Sequence, residues 1–248
     1  MADVTGSGMP DLVRKVEQQM GKWHLGQART RALPKRPATP PQEDVHDFIT
    51  IANDVGGGGR DVSTLLGERL GWPVFDRDIL TSMANEDQLR AHLYQSMDER
   101  DISWLEETAQ TFLHSDIHKN DYFHRLTETL LGLAHQGSAV FVGRASDLIL
   151  PKRKGLRVKV IVSAERRLAN FATHNDLTPK EASRQIERIN RDRAGFIYKH
   201  FQIDLNEPTR FDLLINIERF TAAQAVDLII AAARIRGVKV PRSAGAVS

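Results

Sequence analysis

The hydrophobic positions fall first into a helical stripe. Leu12, Val13, Val16, Met20 and Trp23 recur at spacings of one, three and four in a polar background, which predicts an amphipathic helix from about residue 11 to residue 29. Between Thr30 and Asp47 that pattern is lost. Pro34, Pro37, Pro40 and Pro41, with Lys35 and Arg36 among them, neither propagate a helix nor fill a core. A second pattern starts at Phe48. Phe48-Ile49-Thr50-Ile51 reads as a short buried strand, four glycines follow, and a helical stretch over 61–70 closes at Gly71. Further strands are expected at 73–75, 138–142, 158–162 and 213–217, with helical patterns over most of 77–136 and around the later strands. Strands alternating with helices imply crossover connections and a mostly parallel sheet covered on both faces, an α/β fold in three layers. The expected organisation is a helical extension over 1–29, a proline-rich linker over 30–46, the main domain over 47–237 and a flexible tail over 238–248. The stripe of the extension suits docking onto the domain, with binding to a partner as the alternative.

Composition changes this picture mainly by exclusion. With 248 residues, 41% hydrophobic and 27% charged, the chain has the make-up of a globular protein with a substantial core. Lys and Arg number 34 against 32 Asp and Glu, and a net charge of +2 gives no global reason to expect nucleic acid as a partner. Any anion site has to be local. The lack of cysteine excludes disulfides, thiolate nucleophiles, iron–sulfur clusters and Cys-ligated zinc. The opening residues carry neither the basic start nor the apolar run of a secretion signal, and no later run approaches the roughly 18 apolar residues of a membrane span. The expectation is a cytoplasmic protein with no membrane partner and an oligomeric state left open.

The segment Asn53-Asp54-Val55-Gly56-Gly57-Gly58-Gly59-Arg60-Asp61 is the most informative in the chain. A strand that runs into a glycine-rich turn and then a helix presents backbone N–H groups and a positive helix end to an anion, and glycine lets a phosphate come close. The usual phosphate-loop pattern GxxxxGK followed by Ser or Thr is not met. With Asn53 in the first glycine's place, Gly58 fits the second, Gly59 stands at the lysine and Arg60 at the hydroxyl. A glycine turn without a ligand is the alternative reading.

This loop ending Gly-Gly-Arg, the run Gly-Trp-Pro-Val-Phe-Asp-Arg-Asp-Ile-Leu from Gly71, and Val-Gly-Arg-Ala-Ser-Asp-Leu-Ile-Leu from Val142 together resemble the cytidylate kinase-like family over about 48–236. That family is a variant branch of the nucleoside monophosphate kinases whose loop has the form S-R-x-x-G-x-G-G-R. Gly56, Gly58, Gly59 and Arg60 match it, whereas Ala52 and Asn53 replace the Ser-Arg pair. The resemblance implies a P-loop NTPase-like fold with a helical insertion and an arginine-bearing lid, and ATP with Mg2+ as cofactors. It places Gly56, Gly57, Gly58, Gly59, Arg60 and Asp61 around the donor phosphates, with Arg60 also acting in catalysis.

Phosphoryl transfer asks a protein to align two substrates and neutralise spreading charge, so arginines matter more than any nucleophile. Arg144 follows the apolar strand Ala139-Val140-Phe141-Val142, at a carboxyl end where open sheets bind ligands, and at a helix start where its own charge is unfavourable. By the resemblance it grips the acceptor's monophosphate, and Asp147, one turn later, orients it or meets the base. Asp76 is placed by the resemblance at the acceptor and reads equally as a helix N-cap. Arg77 is a further candidate for the acceptor's phosphate. Arg184, Arg188 and Arg191 fall at spacings of four and three on one helix face, which alone reads as a solvated face paired with Glu187 and Asp192. The run Asn190-Arg191-Asp192-Arg193-Ala194 before the aromatic stretch 196–201 resembles the family's lid. That resemblance makes Arg191 and Arg193 the arginines over the transferred group and Arg188 a substrate contact.

Other chemistries find little support. His114, His118 and His124, with Asp116 and Asp121 between them, lack the compact spacing of a metal site, so no protein-held metal is expected. Neither a G-x-S-x-G elbow nor a G-x-G-x-x-G fingerprint is present, which argues against a serine hydrolase and a dinucleotide-binding enzyme. The expected function is ATP-dependent phosphoryl transfer to a nucleoside monophosphate, with CMP or dCMP implied by the resemblance alone. Two alternatives stay open: a nucleotide-binding sensor or scaffold with little turnover, motivated by the missing loop lysine, and a kinase for another small molecule.

Overall fold

The computed structural model describes residues 9–27, 45–94, 97, 99–110 and 122–241. Most of the expected linker and the stretch 242–248 lie outside the described residues. Five strands form one sheet in the order β2-β3-β1-β4-β5, and every pairing is parallel. They are β1 (Phe48–Asn53), β2 (Val74–Phe75), β3 (Ala139–Val142), β4 (Gly155–Ile161) and β5 (Leu213–Asn216). Parallel strands need crossovers, and the helices that supply them cover both faces.

Alternation along the strands sorts side chains between two cores. Ile49 and Ile51 of β1, with Val158 and Val160 of β4, pack under α2 (Gly59–Leu70) and α10 (Ala222–Ile235). Phe48, Phe75 and Phe141 face the other way, beneath α3 (Arg77–Asn85), α4 (Asp87–Tyr94), α5 (Glu99–Gln110) and α6 (Tyr122–Gln136). Phe75 stacks on Phe141 with centroids 5.6 Å apart. On that second face Thr50, Arg157 and Lys159 interrupt the apolar run, and the polar patch marks where the floor of a cleft begins. The short α7 (Ser146–Ile149) follows β3, while α8 (Ala164–Asn175) and α9 (Pro179–Phe201) form a hairpin above the carboxyl ends of the strands.

The N-terminal stripe forms the helix α1 (Met9–Gln27) and docks: Val16 is buried, and Val13 and Met20 pack against the core beneath α3 and α6. The side chain of Gln19 accepts a hydrogen bond from the backbone N–H of Val74 at 2.9 Å, so α1 occupies part of the open edge of β2.

Three boundaries differ from expectation for physical reasons. The strand expected at 158–162 starts at Gly155, because Arg157 is buried within it. Its guanidinium donates to the carbonyls of Asp147, Leu150 and Lys152, which satisfies a charge that sequence reading assigns to a loop. The arginine run and the aromatic stretch after it are one 23-residue helix, α9, opened by a capping box between Thr178 and Glu181. The chain also stays packed past Gly237, since Val238 is buried beside α10 and its N–H reaches the carbonyl of Ala233 at 2.9 Å. No helix among the described residues is long and apolar enough to cross a membrane.

Candidate functional site

The glycine segment forms a five-residue turn between β1 and α2. Gly58 caps α2 with φ +70°, a left-handed conformation that glycine adopts without a Cβ penalty. No side chain caps this helix, so its first-turn N–H groups stay available to an anion. The rest of the turn is committed. The N–H of Gly57 bonds the carbonyl of Asp54 at 2.9 Å, and the carbonyl of Gly56 accepts from Asn170 of α8 at 3.0 Å. Gly56 lies so close to the backbone of Arg167 that no side chain fits there.

A cleft of about 970 Å³ opens at the carboxyl ends of β1, β2 and β3, walled by α9 and the segment before β5. Eight arginine and lysine side chains line it against five aspartates among the described residues, a surplus that suits a polyanionic ligand. Four of the aspartates differ in their commitments. Asp147 is buried and held by Arg210 at 2.6 Å. Asp54 takes Lys159 at 2.6 Å and Arg167 at 3.6 Å, and Asp78 takes Arg77 at 3.1 Å. Asp76 caps α3, accepting the N–H groups of Asp78 and Ile79 at 3.0 Å each.

The arginines opposite are poised rather than neutralised. Arg144 sits in the turn Gly143-Arg144-Ala145, where all three residues have positive φ; Arg144 is at +54° and Ala145 at +57°. Left-handed backbone costs a residue with a Cβ roughly 1–2 kcal/mol, and such strain concentrates at functional sites. The turn is held because the N–H of Gly143 bonds the carbonyl of Ile51 at 3.0 Å, tying the end of β3 to β1. The Arg144 guanidinium lies 5.9 Å from the Tyr122 ring centre, and its buried Nε has no hydrogen-bond partner. Arg193 reaches from α9 to the carbonyl of Asn53 at 3.1 Å. Burial first, then the charge of Arg77 and more weakly that of Arg144, hold Arg193 below its ordinary pKa against the attraction of Asp54. Arg77 and Arg144, which line the cleft beside Arg193 and act against its charge, make an arrangement suited to a negatively charged ligand.

The cleft brings together Arg60, Asp76, Arg144, Asp147, Arg191 and Arg193 from the sequence-derived set. Gly56, Gly57, Gly58 and Gly59 do not line it, although Asp54 before them and Arg60 after them do, and Asp61 is exposed on α2 and does not line it either. Asp147, expected to orient Arg144 or meet a base, lines the cleft and pairs with Arg210. Arg188 lies outside the cleft and is exposed, because the face of α9 turned inward carries Ile189, Asn190, Arg193 and Ile197. Arg184 is exposed as well. Of the histidine group, His114 and His118 lie outside the described residues; His124 pairs with Glu128 at 3.1 Å, and no metal-binding cluster occurs among the described residues.

Sequence reasoning missed Lys159, Arg167 and Arg210. For Lys159 a signal exists in the strand itself, since Leu156-Arg157-Val158-Lys159-Val160 alternates with period two and sends both cations to one face. Arg167 and Arg210 carry no local mark.

A parallel sheet with a glycine turn between its first strand and first helix, and a cation-lined cleft at the strand ends, has the architecture of a P-loop kinase-like fold. A model of the cytidylate kinase-like family matches residues 48–219, and the chain belongs to that family. Among solved structures it is similar to an uncharacterized protein from Eubacterium ventriosum, with a TM-score of 0.59 and 18% identity over 75% of this chain and 97% of that one. A Thermus thermophilus protein aligns with a TM-score of 0.40 and 17% identity over the same shares. No curated protein matches the chain. The family match begins at the first strand, so α1 lies ahead of it.

Proposed function

We propose that this protein transfers the γ-phosphoryl group of ATP to a nucleoside monophosphate, with CMP or dCMP as the acceptor that the family resemblance favours. The observation that carries the reading is the trio of Arg77, Arg144 and Arg193, converging on one cleft beside the start of α2 with more positive charge than its aspartates balance. On this reading the first-turn amides of α2 and Arg60 hold the donor phosphates, and Arg144 holds the acceptor phosphate. An acceptor oxygen attacks the γ-phosphorus, the bond to the bridging oxygen breaks, and ADP leaves with that electron pair. Arg193 and Arg191 neutralise the charge that spreads over the three equatorial oxygens.

Magnesium fits the cleft in a particular way. The ion takes one or two carboxylates beside phosphate and water ligands, and the carboxylate in the turn, Asp54, is already occupied by two cations. Asp76 and Asp192, which take part in no ion pair among the described residues, and the hydroxyls of Ser63 and Thr64 are the oxygens left to hold it. When bound, it would supply charge neutralisation at the phosphate chain.

A coupled assay of ADP release across a panel of nucleoside monophosphates tests the proposal. Acceptor-dependent release with one or more pyrimidine monophosphates is expected, and release no higher than the no-acceptor background with every member would overturn it. The second reading, a nucleotide-binding protein with little turnover, draws support from Gly59, whose missing side chain removes the loop's usual charge. ATP binding without acceptor-dependent turnover would select it.

A further inference from the structure

The loss of lysine at position 59 is enforced by packing. A Cβ on Gly59 would lie 2.9 Å from the Cβ of Asn53, so the turn as folded has no room for a side chain there. A cation nevertheless stands at the loop. Lys159 of β4 pairs in register with Ala52 of β1, and strand alternation turns it to the cleft side of the sheet. Its side chain is only 12% exposed, and its Nζ lies 2.6 Å from Oδ1 of Asp54. The other oxygen of Asp54 is 3.6 Å from Arg167, whose buried Nε has no hydrogen-bond partner.

One carboxylate between two cations leaves a net positive charge against the phosphate turn. A structural ion pair needs only one of those cations, and Lys159 is the less exposed of the two and the one held closer to the carboxylate. An ammonium has three donors, so the bond to Asp54 leaves capacity for a phosphate oxygen.

We propose that Lys159 is the phosphate-contacting lysine of this protein, delivered from the neighbouring strand instead of the loop, and that it binds the terminal phosphates of the donor nucleoside triphosphate. The inference rests on the donor site proposed above. Asp54 acts here as a competing counter-ion: it occupies the ammonium in the empty site and is relieved of part of its cation load when a phosphate arrives.

Titration calorimetry with MgATP and with inorganic tripolyphosphate, on wild type, Lys159→Met, Lys159→Arg and Asp54→Asn, tests this, with melting temperature measured for each. A charge-assisted contact to phosphate predicts that Lys159→Met weakens both ligands by on the order of 10- to 100-fold, and that Lys159→Arg restores most of the affinity. Asp54→Asn frees the lysine and should bind tripolyphosphate at least as tightly as wild type, even if it melts earlier. Should Lys159→Met fail to fold, weaker tripolyphosphate binding by folded Asp54→Asn would overturn the proposal by itself. Unchanged affinity in folded Lys159→Met would do so too, as would a loss confined to ATP, which would put the lysine at the nucleoside. Wild type that takes neither ligand would remove the donor site and this inference together, whereas wild type that binds both with Lys159→Met unaffected would remove only the lysine's role.

Discussion

Single side chains divide the work of the cleft by how firmly each is held before substrate arrives. The left-handed turn fixes the backbone of Arg144, and on the proposed reading this arginine meets the acceptor phosphate equally in the ground and transition states. Uniform binding of that kind appears in KM. Arg144→Ala should therefore raise the acceptor KM roughly 10- to 100-fold with a small change in kcat. Arg193 is held by a neutral carbonyl and repelled by its neighbours, and on the proposed reading it gains most when charge develops between them. Arg193→Ala should lower kcat by on the order of 10²–10³ with little change in acceptor KM; steady-state kinetics on both variants would show the split, and matching effects would refute it. Gly58→Val places a β-branched residue at φ +70°, where space exists but the backbone conformation is disfavoured. Calorimetry should find ATP binding lost in a protein whose circular dichroism stays native. Much of this was legible at the residue scale, because Arg144 and Arg193 sit in motifs. The partners were not: nothing in the sequence pairs Asp147 with Arg210 across 63 positions, and the two meet only because the segment after α9 folds back over α7.

At the scale of elements, periodicity was a faithful guide where burial is one-sided. The stripe of α1 and the closing Gly71 of α2 were readable for that reason. It failed at Arg157, where a strand buries a charge, and at the end of α9, where aromatic residues in a continuous helix resemble a separate segment. Helix α1 reaches Val74, a residue of the cleft wall, through the Gln19 hydrogen bond. By occupying Val74 N–H it steadies β2, and the chain leaving β2 carries Asp76 and Arg77 into the cleft. Val16→Ala should cost about 2 kcal/mol of stability by urea denaturation, and Gln19→Ala about 1 kcal/mol. Gln19→Ala should in addition raise the acceptor KM, which a defect of stability alone would not do. An unchanged KM would confine α1 to a stabilising role.

Across the whole molecule, the near-balance of charge conceals strong local separation. The cations gather at the strand ends, while the helical layer beneath α3 buries its own polar group around Tyr94, Arg90, His124 and Glu128. Burial, and then the negative charge of Glu128, push the Tyr94 phenol up to about 12. The folded state thus keeps this proton when the unfolded chain, near 10, has lost it. The stabilising contribution is complete below about pH 10 and is lost as pH rises toward about 12. Denaturation midpoints should fall over that window in wild type and fall less in Tyr94→Phe. The α9 helix joins these two regions. Its carboxyl-terminal end is clamped, with Ile197 buried and His200 stacked on Phe123 at 4.0 Å, while its other end, with Arg184, projects into solvent beside α8. A rod of 23 residues is roughly 34 Å long, and Arg193 stands only about 6 Å from the Ile197 fulcrum. A tilt of the α8–α9 hairpin about that point would sweep its outer tip through a wide arc while the arginine barely travels, and would break the bond from Asn170 to the Gly56 carbonyl. On the proposed reading such a lever would open a doorway at the tip and leave the electrostatic machinery set near the clamped end, so the door could move without the lock being rebuilt at each turnover.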